Sequence, residues 1–283
     1  MNNIIFVVVV CFVAFLFGCF YKENISDDIH IVGKDHVEGF DRDTIRCAYV
    51  NYPPYLNVSP NDGSISGIMV DVMDEIANKS GLSVEWIEEV NWTNMMEGLK
   101  LGRYDAVCSS IWKNSKRAVN ADFSMAIGYS PIDILVRGDD YRFDNHILNI
   151  NSKDIKISTI DGEMTEMIAD DLFPNAGKFG LAYGGNISDA LLNVKNGKAD
   201  AIFVERKIAN EFMKHNPDSL KNISYNKEFL AFPITIMVGN GSDELLDIIN
   251  ASLEEIVYTQ KISLILANYD LDDKEFLLSK RPY

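Results

Sequence analysis

From Thr44 onward the chain switches between two hydrophobic periods. Ile45-Arg46-Cys47-Ala48-Tyr49-Val50 reads as a first strand. Pro53 and Pro54 close it, because proline donates no hydrogen bond to a sheet ladder. Asn61-Asp62-Gly63 is a turn. Ile68, Val72, Met73, Ile76 and Ala77 then recur at helical spacing, and Gly81 ends that helix. Leu82 to Ile87 reads as a second strand, Thr93 to Lys100 as a helix stopped near Gly102, and Asp105 to Cys108 as a third strand. This alternation predicts a parallel sheet with crossover helices.

The pattern then repeats. Lys100-Leu101-Gly102-Arg103-Tyr104-Asp105-Ala106-Val107 matches Lys195-Asn196-Gly197-Lys198-Ala199-Asp200-Ala201-Ile202 at a constant offset of 95 residues. Each copy follows an apolar helix and leads into an apolar strand, so glycine caps the helix and aspartate opens the strand. Two α/β lobes of similar plan are predicted, with Lys156 to Ile160 as the first strand of the second. Ile132 to Arg137 and Phe232 to Val238 read as two segments crossing between them. Beyond the second crossing, Ser242 caps a helix with Asp243 and Glu244 in its first turn, where the dipole favours acids. A last helix near Ile262 to Tyr269 packs back on lobe one, and Asp270 to Tyr283 reads as a loose polar tail. The predicted boundaries are residues 44–137 plus 233–283 for lobe one and 138–232 for lobe two. Two crossings make a hinge, and the cleft lies where the C-terminal ends of both sheets face each other.

The first 21 residues carry no charged side chain, and Ile4 to Phe17 is an apolar run of 14. That run is short for a spanning helix and fits the core of an export signal, assigned here to residues 1–19. Leu16-Phe17-Gly18-Cys19 resembles a bacterial lipobox, which makes Cys19 the candidate lipidation site, with an uncleaved anchor as the alternative. Residues 20–43 read as a linker, polar from residue 22 on; His30 and His36 within it read as solvated rather than metal-binding. An extracytoplasmic protein, touching the membrane only through its N-terminal segment or a lipid, is expected. Across 283 residues, 42 Asp and Glu against 26 Lys and Arg give a net charge of −16. That sign excludes a binder of bulk nucleic acid and argues against adsorption to anionic lipid. Four cysteines make no disulfide scaffold; Cys47 and Cys108, on neighbouring strands, read as core residues or as a disulfide. The sequence has no GxxxxGK loop and no paired-cysteine zinc motif, and neither metal nor cofactor is expected.

Several short motifs, in order from Ile45 to Asp270, resemble the family 3 extracytoplasmic solute-binding proteins, the amino-acid receptors of ABC importers. They are Tyr52-Pro53-Pro54-Tyr55, Gly67-Ile68-Met69-Val70-Asp71, Leu99-x-x-Gly102-x-Tyr104-Asp105, Arg117 with Asp122-Phe123-Ser124, and Gly197-x-x-Asp200-Ala201. The resemblance implies a two-lobed periplasmic-binding fold of type II. Each lobe would be a mostly parallel sheet flanked by helices, the whole a monomer that closes over one small amino-acid-like solute and delivers it to an ABC permease.

A free amino acid presents a carboxylate and an ammonium. Arg117, at the start of a predicted helix, offers a guanidinium and nearby N–H donors; the family's carboxylate-binding arginine falls here, and the alternative is a surface pair with Asp122. Ser109 and Ser110, at the end of the third strand, match a stretch that donates hydrogen bonds in the family. Trp112 stands where those receptors commonly carry Ser or Thr, and could stack on ligand, wall the pocket or fill the core. Tyr52 and Tyr55 match the position of an aromatic cover over the ligand side chain, or pack between lobes. Glu205 matches an Asp that accepts the ligand ammonium; otherwise it pairs with Arg206 or Lys207. Gly162 matches the glycine of a Gly-Thr-Thr carboxylate loop, but Glu163 and Met164 replace the hydroxyl residues, which points towards a positively charged solute. The rival functions are a solute-sensing subunit and a small-acid dehydratase using a cleft carboxyl as acid.

Overall fold

The structure, a computed structural model, describes residues 43–144, 146–182, 185–224 and 230–279. The predicted export segment with Cys19, and the linker up to Arg42, lie outside the described residues. Among the described residues no helix is long and apolar enough to cross a membrane.

The chain opens with β1 (Thr44–Tyr49), a small hairpin of β2 (Asn57–Val58) and β3 (Ile65–Ser66), α1 (Ile68–Ser80), β4 (Ser83–Glu89), α2 (Met95–Lys100) and β5 (Ala106–Trp112). Then come α3 (Ser115–Ala118), β6 (Ala121–Phe123) and the long β7 (Gly128–Arg137). The second half holds β8 (Lys156–Ile160), α4 (Met164–Leu172), β9 (Gly177–Leu181), α5 (Ile187–Lys195), β10 (Ala201–Glu205) and α6 (Arg206–His215). It finishes with β11 (Leu220–Asn222), the long β12 (Leu230–Gly239), α7 (Asp243–Tyr258), α8 (Lys261–Ala267) and β13 (Leu277–Leu278).

Two parallel triplets result. β1 lies between β4 and β5, and β8 between β9 and β10. The repeated sequence builds the same joint in each. Asp105 N–H donates to the Arg46 carbonyl (2.8 Å), and Asp105 Oδ2 accepts the Arg46 N–H (3.0 Å). Asp200 N–H donates to the Lys156 carbonyl (2.7 Å), and Asp200 Oδ2 accepts the Lys156 N–H (2.9 Å). The aspartate thus fastens the third strand of each triplet to the first residues of its central strand. Cys47 and Cys108 are joined in a disulfide that ties β1 to β5, with Cα atoms 5.5 Å apart.

The crossing strands lie between the triplets and pair with each other, so the ladder runs unbroken from β4 to β9 rather than as two separate sheets. β12 pairs with β5 through Ile234–Val238 and with β7 through Leu230–Ile234. β7 pairs with β12 through Gly128–Ile132 and with β10 through Ile132–Val136. Each long strand therefore changes partner at one isoleucine, Ile234 or Ile132. Apolar packing still falls into separate cores. One gathers Val50, Val90, Met95, Leu99 and Val107 around lobe one; the other gathers Ile134, Ile157, Ile168, Phe173 and Phe203 around lobe two. α7 and α8 pack on α1, as the period of Leu245, Ile249, Leu253 and Ile256 requires.

The C-terminal segment departs from expectation, because it is not a loose tail. Phe276 is buried against Gly128, where any Cβ would collide with its ring. Leu277 and Leu278 pair with Tyr129 and Gly128 as β13. The same segment also reaches lobe two. Lys274 carbonyl accepts from Arg206, Glu275 accepts from Asn210 (2.8 Å), and the Asp270 carbonyl accepts from Lys207 (3.0 Å). Burying one phenylalanine is worth ~1.5–3 kcal/mol, which outweighs the polar appearance of the flanking residues.

Candidate functional site

β5 and β10 both end at the rows where the crossing strands change partner: Trp112 pairs with Ile234 and Glu205 with Ile132. The C-terminal ends of the two triplets therefore meet there. Trp92, Ser110, Trp112, Arg117, Glu163 and Glu205, together with Met164, line one small chamber. With the lobes as they stand it has room for about one water. Tyr52 and Trp92 also line the wider cleft, a space of about 1330 Å³ that includes open solvent.

Glu205 is 3% exposed at the end of β10. Its Oε2 accepts a 2.7 Å hydrogen bond from the Tyr52 hydroxyl, which reaches it from the loop after β1. Burial, and then repulsion from Glu163, push the Glu205 carboxyl up to about 8, with the Tyr52 bond pulling the other way. Burial, then the charge of Glu205, raise the Tyr52 phenol as well. The expected alternative partners of Glu205 are engaged elsewhere. Arg206 grips the buried Asp133 at 2.9–3.1 Å, and Lys207 faces Glu211 and Glu275.

Glu163 is equally buried and caps α4: its Oε2 accepts from the Thr165 N–H (2.8 Å) and the Thr165 hydroxyl (2.7 Å). Its carboxyl is raised by burial, opposed by those hydrogen bonds and by Arg117. Gly162 has φ +73°, and a Cβ there would press on Thr93 and the Trp92 carbonyl across the cleft. Its N–H donates to Glu166 Oε2 at 2.8 Å, and its carbonyl accepts from Arg117 at 3.0 Å.

Arg117 follows β5 on α3, a single turn rather than a longer helix, capped by Asn114. Its guanidinium donates to the Trp112 carbonyl (2.9 Å) and to Gly162 of the other lobe, and is not paired with Asp122. Burial lowers it to about 10, with Glu163 acting against the shift.

Three expected site residues are placed differently from the rest. Ser109 lies inside β5 and turns to Val50, whose N–H donates to its hydroxyl at 2.8 Å; Ser110, one residue on, faces the chamber. Tyr55 lies under the crossing strand, its hydroxyl 3.1 Å from Ser130, with its ring stacked near Tyr52. Trp112 stacks flat on Phe232 of β12 at 4.2 Å, so it is both chamber wall and core. Sequence reasoning missed Trp92. It follows β4, and its ring meets Tyr52 edge-on at 5.5 Å. The available signal was its place just beyond a parallel strand, where such sheets collect ligands. Among the described residues no group of His, Cys, Asp and Glu could hold a metal ion.

The chamber thus offers two buried carboxyls, one guanidinium and aromatic walls, reached through a cleft between two lobes. Known proteins agree on the fold. An ancestral amino acid-binding protein, described as a precursor of cyclohexadienyl dehydratase, superposes with TM-score 0.69 at 22% identity over 80% of this chain and 94% of its own. The arginine-, lysine-, histidine-binding protein of Geobacillus stearothermophilus gives 0.67 at 22%, over 80% and 95%. The architecture is the two-lobed type II periplasmic-binding fold. In sequence, a probable histidine-binding protein of Campylobacter jejuni is 23% identical, covering 78% of this chain and 82% of its own. A probable amino-acid ABC transporter-binding protein of Haemophilus influenzae is 24% identical over the same shares. Residues 45–271 match the bacterial extracellular solute-binding proteins, family 3, and the chain belongs to that family.

Proposed function

We propose that this extracytoplasmic receptor closes its two lobes over a small amino-acid-like solute carrying positive charge and hands it to an ABC permease. The observation that carries the reading is the chamber itself: Glu163 and Glu205, both buried, share it with the single guanidinium of Arg117. A buried carboxylate needs a positive partner, and a solute ammonium supplies one for Glu205 in place of the Tyr52 hydroxyl. Tyr52 and Trp92 supply aromatic cover; Ser110 and Trp112 complete the wall. Relatives named for histidine, arginine and cystine binding support a solute of amino-acid type.

The receptor acts as a monomer, with lobe one at residues 44–137 plus 233–283 and lobe two at 138–232, and Cys19 as its lipid attachment. Cysteine-to-serine replacement at 19, followed by mass spectrometry of the N-terminus, tests the attachment. Calorimetric titration against a panel of amino acids tests the solute class; tight binding of glutamate with none of any cationic or neutral solute reverses it.

A carboxyl pushed up to about 8, and so largely protonated at neutral pH, is also what a general acid needs. The chain is nonetheless read as a binder, since the named relatives are binding proteins. Product formation from prephenate-like acids would replace that reading with a dehydratase.

A further inference from the structure

Resting on that reading, the hydrogen bonds around the chamber narrow the solute further. An amino-acid carboxylate needs N–H donors at a glycine turn or helix N-terminus, together with a guanidinium. In this chain the protein's own carboxylates take those donors. Glu166 accepts the Gly162 N–H (2.8 Å). Glu163 accepts from Thr165 N–H (2.8 Å) and hydroxyl (2.7 Å) at the start of α4. Arg117 gives two of its donors to backbone carbonyls, one from each lobe, and has the Glu163 charge as a neighbour.

Charge points the same way. Without solute, burial keeps the Glu205 carboxyl largely protonated at neutral pH; an ammonium seated on it favours the ionised form, and the chamber then holds one guanidinium and two carboxylates, a single negative charge. Glu163 and Arg117 offset each other in charge, so among the described residues Glu205 is the carboxyl without an ionic partner, accepting from the Tyr52 hydroxyl. A zwitterion would add a second anion beside Glu163 and leave the net charge uncorrected. A cation without a carboxylate corrects it.

We infer that the solute is an amine with no free carboxylate, its ammonium seated on Glu205, and that Glu163 and Glu166 occupy the donors an amino-acid carboxylate would use. Glu163 and Glu166 are then specificity residues: they exclude parent amino acids while leaving the amine seat intact.

The test is a calorimetric comparison of matched pairs on the mature protein: arginine against argininamide and agmatine, histidine against histamine, tyrosine against tyramine. At least one amine or amide is expected to bind ten times or more tightly than its parent acid. A parent acid binding as well as, or better than, its amine overturns the inference and leaves the cationic-solute reading standing. If no cation in the panel binds, both fall. A second arm uses Glu163→Thr with Glu166→Ala, which frees the donors. The preference should shift at least tenfold towards the parent acid, and an unchanged ratio in a folded variant counts against the assignment.

Discussion

The two lobes are built alike at one end and differently at the other. At the bottom of each triplet an aspartate joins the third strand to the first by the same pair of hydrogen bonds, Asp105 to Arg46 and Asp200 to Lys156. At the top, lobe one presents Arg117 and lobe two presents Glu205 and Glu163. The scaffold repeats because both lobes solve one packing problem. The cleft does not: a guanidinium stands on its lobe-one side and two carboxyls on its lobe-two side.

The disulfide is a second asymmetry, since only lobe one has one among the described residues. Replacing Cys47 and Cys108 by alanine should cost about 2–4 kcal/mol in denaturant unfolding. An unchanged midpoint would mean that the strand joint alone holds β1 to β5. Next in size, Glu205→Gln should weaken binding of a cationic solute about a hundredfold, roughly 2–3 kcal/mol, by calorimetry. Wild-type affinity in that variant would remove the ammonium seat from lobe two. Asp105→Ala and Asp200→Ala should each lower stability by about 1–2 kcal/mol, and by similar amounts. Strongly unequal losses would break the likeness of the two joints.

The smallest effect is on pH. The Glu205 carboxyl, held near 8, favours the folded protein while protonated. Its contribution is complete below the ordinary value of 4.5 and is lost as pH rises through about 8. The melting temperature of the ligand-free protein should therefore fall between about pH 5 and 8 and level off above, and Glu205→Gln should flatten the slope. Equal slopes in the two proteins would assign the trend to other groups. Cation affinity should move in the opposite sense, strengthening as Glu205 ionises.

The sequence was most readable where a single local rule decides. Lys156–Ile160 is a strand with the bounds its apolar run suggests, and both copies of the glycine–aspartate phrase sit where their repetition predicts. Arg117 and Glu205 could be picked out because they end or follow strands. The rest depended on phase and on distant partners. Ser109 and Ser110 differ by one residue, and the twofold period of a strand sends one to Val50 and the other to the chamber. Tyr55 is claimed by Ser130, seventy-five positions away. The run after Asp270 looks polar because Leu271, Phe276, Leu277 and Leu278 are set among charged residues; the space over Gly128 that receives Phe276 exists only after folding.

That terminal segment has a mechanical consequence. Because it pairs with β7 while holding α6 through Lys274, Glu275 and Asp270, the clamshell has a clasp besides its two-stranded spine. Gape is then rationed by how readily residues 270–276 let go of α6.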